Sequence, residues 1–278
     1  MNECENLELR LILEAVFRYY GYDFRGYDPK FLSERVKSFI EKEHITSISA
    51  MQDKVLHDRN SFERFLDYLT HKKIGNLNDT QFFKTFRMNI LPHLKDQRHL
   101  RIWIAGCSTG EEVFSLSIIL HEENLISRCK IYATDINEAD LMKAQNSSLP
   151  LMSIKKIAAN YKASGGKNNF KEYFDGNRQS TEFSDINRKS IIWSRHNLVS
   201  DASFNEFQLI ICKNVLFYFS KEVQRSVHKL LFESLADNGI LALGSNDTIS
   251  STPFEINYNV LDSDNNFFQK TTDFVELV

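Results

Sequence analysis

Apolar residues recur at helical spacing through the first third of the chain. Leu9, Ile12, Leu13, Val16 and Phe17 fall on one face; Phe31, Leu32, Val36, Phe39 and Ile40 repeat the pattern after Pro29, and Phe62, Phe65, Leu66 and Leu69 form a third stretch. Residues 1–92 therefore read as an N-terminal all-helical domain. From about residue 98 the period changes. Short apolar runs near 100–105, 130–134, 190–194, 208–212 and 239–244 alternate with helical stretches, and DNNFFQKT at 264–271 reads as a last strand. This alternation predicts an α/β fold over 93–278: a doubly wound sheet with right-handed crossovers, binding its ligand at the carboxyl ends of the strands. Residues 146–190 interrupt it with a polar, Asn- and Lys-rich stretch that holds Gly165, Gly166 and Gly176. Either a small inserted antiparallel β subdomain, with a hairpin in YFDGNRQSTEFSDI at 173–186, or a surface loop fits there.

The segment IWIAGCSTGEEVFSLS, 102–117, runs from a buried strand through a small-residue loop into a helix expected to start near Thr109. Gly106 and Gly110 let the backbone turn tightly and approach a ligand. Glu111 and Glu112 put negative charge in the helix's first turn, where a pyrophosphate would be repelled despite the helix dipole. S-adenosylmethionine (SAM) is cationic and carries no phosphate, so it suits this loop better than a dinucleotide. An ordinary βα turn, its glutamates merely complementing the dipole, is the plainer alternative. Downstream, KIYATDINEADLMKAQ at 130–145 ends its strand on Asp135. That spacing suits a carboxylate accepting from ribose hydroxyls, although Asp135 is also a good N-cap for the next helix.

From about Phe17 to Lys270 the chain resembles the CheR-type chemotaxis-receptor protein-glutamate O-methyltransferases. NDTQFF at 78–83, AGCSTGEE at 105–112, RHNLV at 195–199 and ICKNVLFYFSKEVQ at 211–224 carry the resemblance, and LADNGILALGS at 235–245 adds to it. It implies a Rossmann-like SAM-methyltransferase sheet with an N-terminal helical domain and a small inserted β subdomain. It also implies SAM as cofactor, S-adenosylhomocysteine as product, and no metal. Residue by residue, Asn78 and Thr80 would border the cofactor, Ala105 and Gly106 pack under it, and Glu111 face its amino-acid end. Asp135 would hold the ribose, Asn197 with Leu198 lie beside the adenine, and Asn214 with Val215 lie near the methionine portion. Tyr218 matches the active-site tyrosine. The family's FFR arginine is Lys84 here, a residue expected to act with Tyr218 in catalysis and to touch the cofactor; it keeps the charge and loses the planar fork. Further departures are Lys213 in a motif usually CRN, Val113 and Phe114 in EEPYS, and Asn246 and Asp247 in GHSE. Asn197 satisfying its own loop and Tyr218 serving as a core aromatic remain open alternatives.

The implied reaction is methyl transfer to glutamate carboxylates of a protein acceptor, a chemoreceptor or another signalling protein. A SAM-binding regulatory module with little turnover, or a methyltransferase for a different acceptor, is the alternative. Composition agrees without deciding. The 278 residues, 42% hydrophobic, can bury a large core, and the net charge of −3 argues against a nucleic-acid partner. No run of eighteen apolar residues predicts a membrane span, and the opening lacks the basic stretch of a secretory signal, so a cytoplasmic protein is expected. Cys4, Cys107, Cys129 and Cys212 have no C-x-x-C spacing and read as reduced thiols.

Overall fold

The computed structural model describes residues 2–70, 79–146, 151–177, 180–183, 188–250 and 252–271. Four helices open the chain: α1 (Glu3–Tyr20), α2 (Pro29–Lys42), α3 (Ile48–His57) and α4 (Arg59–Thr70). Their ends are written locally. Asn2 and Glu5 form a capping box, each backbone N–H donating to the other's side chain at 2.8 Å, and Asp28 caps α2 with Pro29 in its first turn. The faces anticipated for α1, α2 and α4 are the buried ones; α3, whose buried residues are only Ile48, Met51 and Val55, has no counterpart in the expected elements.

The segment α5 (Asp79–Thr85), a π-helical turn over Phe86–Ile90 and α6 (Leu91–Leu94) lead into the sheet. Pro92, lacking an N–H and crowding the carbonyl four residues back, accounts for the widened turn. Then come β1 (Leu100–Ala105), α7 (Glu111–Glu122), β2 (Cys129–Asp135), α8 (Glu138–Gln145), α9 (Leu151–Ala163), β3 (Phe174–Asn177), β4 (Ser180–Phe183), β5 (Ile191–Arg195), β6 (Phe207–Cys212), α10 (Lys221–Ser234), β7 (Leu235–Leu243), β8 (Tyr258–Asp262) and β9 (Phe267–Lys270).

Seven strands form one sheet in the order β5-β2-β1-β6-β7-β9-β8; the first five are parallel, and β9 pairs antiparallel with both β7 and β8. Along the chain the order reverses direction between β1 and β6. Ligands of open α/β sheets bind at such a switch point.

The strands alternate between two cores. Trp103, Ile210 and Leu241 pack with α1–α4 and α10 on one face; Ile102, Ile104, Leu209 and Ile211 pack with α5–α7 on the other. Parallel strands buried on both faces explain the unbroken apolar runs. The insertion consists of helix α9 and the separate hairpin β3–β4, with Gly176 opposite Thr181 and Asn177 opposite Ser180. Tyr161 of α9 donates to Glu122 at 2.5 Å, which fastens the insertion to the far end of α7. Like α3 and α9, β8 was not anticipated. Its Val260 is 60% exposed, so it carries no buried-strand signature.

Candidate active site

A cleft opens at the switch point. Among its walls are Gly106, Asp135, Asn197, Leu198, Val215 and Tyr218, so six of the residues anticipated from the motifs converge although they come from four separate loops. Gly106 follows β1 with φ +72°, and a Cβ there would lie 2.5 Å from Val215 Cγ2. Only glycine allows both that backbone and that approach. Ala105 is buried directly before it. Gly110, also left-handed, is the N-cap of α7, so the helix starts at Glu111 rather than near Thr109. Glu111 accepts from the Thr109 hydroxyl at 2.7 Å.

Asp135 is 8% exposed at the end of β2. Its two oxygens accept backbone N–H groups, Ser108 at 2.8 Å and Asn137 at 2.9 Å, so it braces the glycine loop. The cap of α8 is Asn137, not Asp135: its Oδ1 accepts from Ala139 and Asp140. Asn197 Oδ1 accepts from Val199 N at 3.0 Å, so the loop-satisfying role is real; its Nδ2, however, is buried with no hydrogen-bond partner among the described residues.

Tyr218 closes a 3₁₀ turn over Leu216–Tyr218, neither strand nor α-helix, with its ring 4.7 Å from Phe31 of α2 and 4.1 Å from Phe217. Asp247 holds this turn. It is 4% exposed and accepts from the backbone N–H of Asn214 at 2.7 Å and of Phe217 and Gly244 at 3.2 Å. Asn214 itself takes the left-handed conformation, φ 56°. Beside it, Lys213 is 5% exposed and pairs with Glu112 at 2.9 Å while sitting 4.1 Å over the Phe82 ring.

Thr80 and Lys84 of α5 are not among the cleft's walls. Lys84 is exposed, and Thr80 donates to Asn160 of α9 at 3.0 Å. Asn78 lies outside the described residues.

Other walls were not among the anticipated site residues, although Ile136, His196 and Phe219 stand in the segments singled out above: Tyr27, Leu69, Thr70, Ile136, His196 and Phe219. Tyr27 forms an isolated bridge with Phe219, their rings 5.0 Å apart, and Thr70 accepts from Asn137 Nδ2 at 2.9 Å. Two points of the helical domain thus close the cleft. Burial, then the nearby Asp135 charge, push the Tyr27 phenol's pKa up, so it stays an O–H donor.

Two family models cover the chain: "CheR methyltransferase, SAM binding domain" over residues 72–263 and "CheR methyltransferase, all-alpha domain" over 7–70. The chain belongs to the CheR methyltransferase family. It is 35% identical over 266 residues to a putative methyltransferase, Cher3, of Pseudomonas putida, covering 96% of this chain and 97% of that protein. It is 27% identical to the chemotaxis protein methyltransferase of Listeria monocytogenes (92% and 95% covered) and 26% identical to chemotaxis protein methyltransferase 1 of Pseudomonas aeruginosa (80% and 83%). This CheR chain is therefore a SAM-dependent methyltransferase with the mixed sheet and all-helical N-terminal domain the alternation predicts. The cleft fits SAM: its glycine floor admits close approach, and Asn197 Nδ2 is a buried donor awaiting an acceptor. No helix among the described residues is long and apolar enough to cross a membrane.

Proposed function

We propose that this CheR protein methylates side-chain carboxylates, specifically glutamates of a protein acceptor in chemoreceptor signalling. The observation that supports it most is the convergence of Asp135, Asn197 and Tyr218 on one cleft whose remaining walls come from the helical domain. Bound SAM supplies a methyl group on a positively charged sulfonium, and a carboxylate attacking it cancels both charges.

The chain's own residues then have defined tasks. Each oxygen of a carboxylate can accept two hydrogen bonds, so Asp135 serves the glycine loop and a ribose hydroxyl together. Glu111, in the first turn of α7, faces the ammonium end. Asn78, Thr80, Ala105, Leu198, Asn214 and Val215 complete the surroundings of the cofactor. No general base is needed, because a glutamate with an ordinary pKa of about 4.3 is ionised at neutral pH. Tyr218 orients the incoming carboxylate through its hydroxyl, and Lys84, exposed on α5, offers it a cation. Neither holds it tightly, since stabilising the ground-state anion would raise the barrier. The buried side chains of Tyr27, Leu198 and Phe219 keep water from the reacting groups.

The test uses methyl-labelled SAM and a chemoreceptor cytoplasmic fragment. Label on glutamate that mild base releases as methanol is expected, and an acceptor with Glu→Gln at the labelled site should take none. Base-stable label, or label on Lys or Arg, would refute carboxyl methylation. SAM binding without any transfer would favour the regulatory alternative.

A further inference from the structure

Tyr27 joins the helical domain to the turn that carries Tyr218, and only its ring has a part in the function proposed above. The connection is made by the backbone. Asp28 N donates to the Tyr218 carbonyl at 2.8 Å and Ser220 N to the Gly26 carbonyl at 3.0 Å, which sets Tyr27 opposite Phe219 in a short antiparallel bridge. Glycine suits position 26 because of this close approach: a Cβ there would lie 2.6 Å from Val223 Cγ2. The ring of Phe31 meets both phenol rings, centred 6.3 Å from Tyr27 and 4.7 Å from Tyr218. Tyr27 and Tyr218 are thus neighbours that line one cleft from two domains. Tyr27 is 8% exposed, yet its hydroxyl has no hydrogen-bond partner among the described residues; Asp135 and Tyr218 act on it through space. Burial keeps its proton on, so the phenol offers a donor and calls for an acceptor. A polar hydrogen left unmatched at such depth costs stability until a ligand matches it.

We propose that Tyr27 is a second phenol of the acceptor site, its hydroxyl donating to one oxygen of the glutamate carboxylate that Tyr218 also orients. The inference rests on carboxyl methylation taking place in this cleft. A carboxylate has two equivalent oxygens and rotates about its last bond; a donor on one oxygen holds the other, with its lone pair, in line with the methyl and the sulfur. The new O–CH₃ bond forms as the S–CH₃ bond breaks, the bonding pair passes to sulfur, and no proton moves. Charge leaves the carboxylate on the way, so Tyr27 contributes through orientation rather than by stabilising the anion. The helical domain then does more than cover the cleft: it supplies a catalytic group.

The test compares the full-length wild type with Tyr27→Phe, Tyr218→Phe and the double variant. It measures steady-state transfer from methyl-labelled SAM to a chemoreceptor cytoplasmic fragment, calorimetry with S-adenosylhomocysteine, and thermal unfolding of the ligand-free chain. Tyr27→Phe should lower kcat/KM for the acceptor about tenfold while S-adenosylhomocysteine affinity changes by less than about twofold. It should unfold at no lower temperature than the wild type, because it removes a hydroxyl that nothing in the protein matches. With both phenols acting on one carboxylate, the double variant should lose less than the product of the two single losses. Unchanged kcat/KM in Tyr27→Phe, single losses that multiply, or a loss of S-adenosylhomocysteine affinity as large as the loss of transfer would overturn the inference. So would a Tyr27→Phe chain less stable than the wild type, since the hydroxyl would then be bonded within the protein; this arm needs no acceptor. A wild type that puts no methyl on glutamate would overturn carboxyl methylation itself, and the inference with it.

Discussion

Lys213 shows how one side chain can hold a site without lining it. It follows β6 directly, precedes Asn214, and reaches across to Glu112 in the first turn of α7 and the Phe82 ring of α5. Three segments that each carry a proposed site residue therefore meet at one ammonium group. The pair is 5% and 15% exposed, so removing the cation takes its ion-pair partner from a largely buried carboxylate. Lys213→Met should cost about 3 kcal/mol of stability, within the range for breaking buried pairs. Lys213→Arg restores the residue usual in the resembling motif and should fold as well as the wild type. Urea unfolding of Lys213→Met, Glu112→Leu and the double variant gives the coupling. If the two losses simply add, the pair is not what joins the segments.

Among elements, the loops after β6 and β7 behave as one piece because Asp247 accepts from the backbone of both. Asp247→Asn keeps the shape, loses the charge, and turns one acceptor oxygen into a donor facing N–H groups. A loss of about 2–3 kcal/mol is expected from weakened charge-assisted hydrogen bonds. Because the turn it holds carries Tyr218, turnover should fall more than affinity for S-adenosylhomocysteine. Measured kcat unchanged in a folded Asp247→Asn would separate the clasp from the chemistry. Asp247 stands in a segment resembling a family motif, but its role as a clasp is read only from its hydrogen bonds. The buried parallel strands announce themselves as apolar runs, and the glycine loop, Asp135 and Asn197 stand in recognisable motifs. Tyr27, Leu69 and Thr70 come from segments with no chemical signature, and only packing of α1–α4 over the sheet brings them to the site. Elements without a dominant apolar face were equally silent: β8 has exposed Asn259 and Val260, and α9 lies in a polar stretch. Segment 79–94 has the same helical look as the first seventy residues yet packs on the opposite core, a distinction periodicity cannot carry.

At the scale of the whole molecule, stability should depend on pH through a group far from the acids that usually govern it. His228 on α10 is 3% exposed, and burial holds its pKa down to about 4, against an ordinary 6.5, with a hydrogen bond to the Thr248 backbone opposing the shift. The depressed value means that the folded chain resists the proton the unfolded chain accepts. Above about pH 7 the ring is neutral in both states and contributes no pH dependence. As pH falls through 6.5 the unfolded state gains protons first, so the fold loses stability progressively until the buried ring also titrates near pH 4. Between pH 7.5 and 5 this one group should remove roughly 2 kcal/mol. His228→Gln keeps a neutral hydrogen-bonding side chain and cannot charge, so it should be less stable than the wild type at pH 7.5 by whatever packing it disturbs, yet lose less on acidification. Urea titrations of both proteins at the two pH values isolate the difference, since every other titrating group is shared. Parallel losses in the two chains would mean that His228 takes up its proton in the folded chain as readily as in the unfolded one.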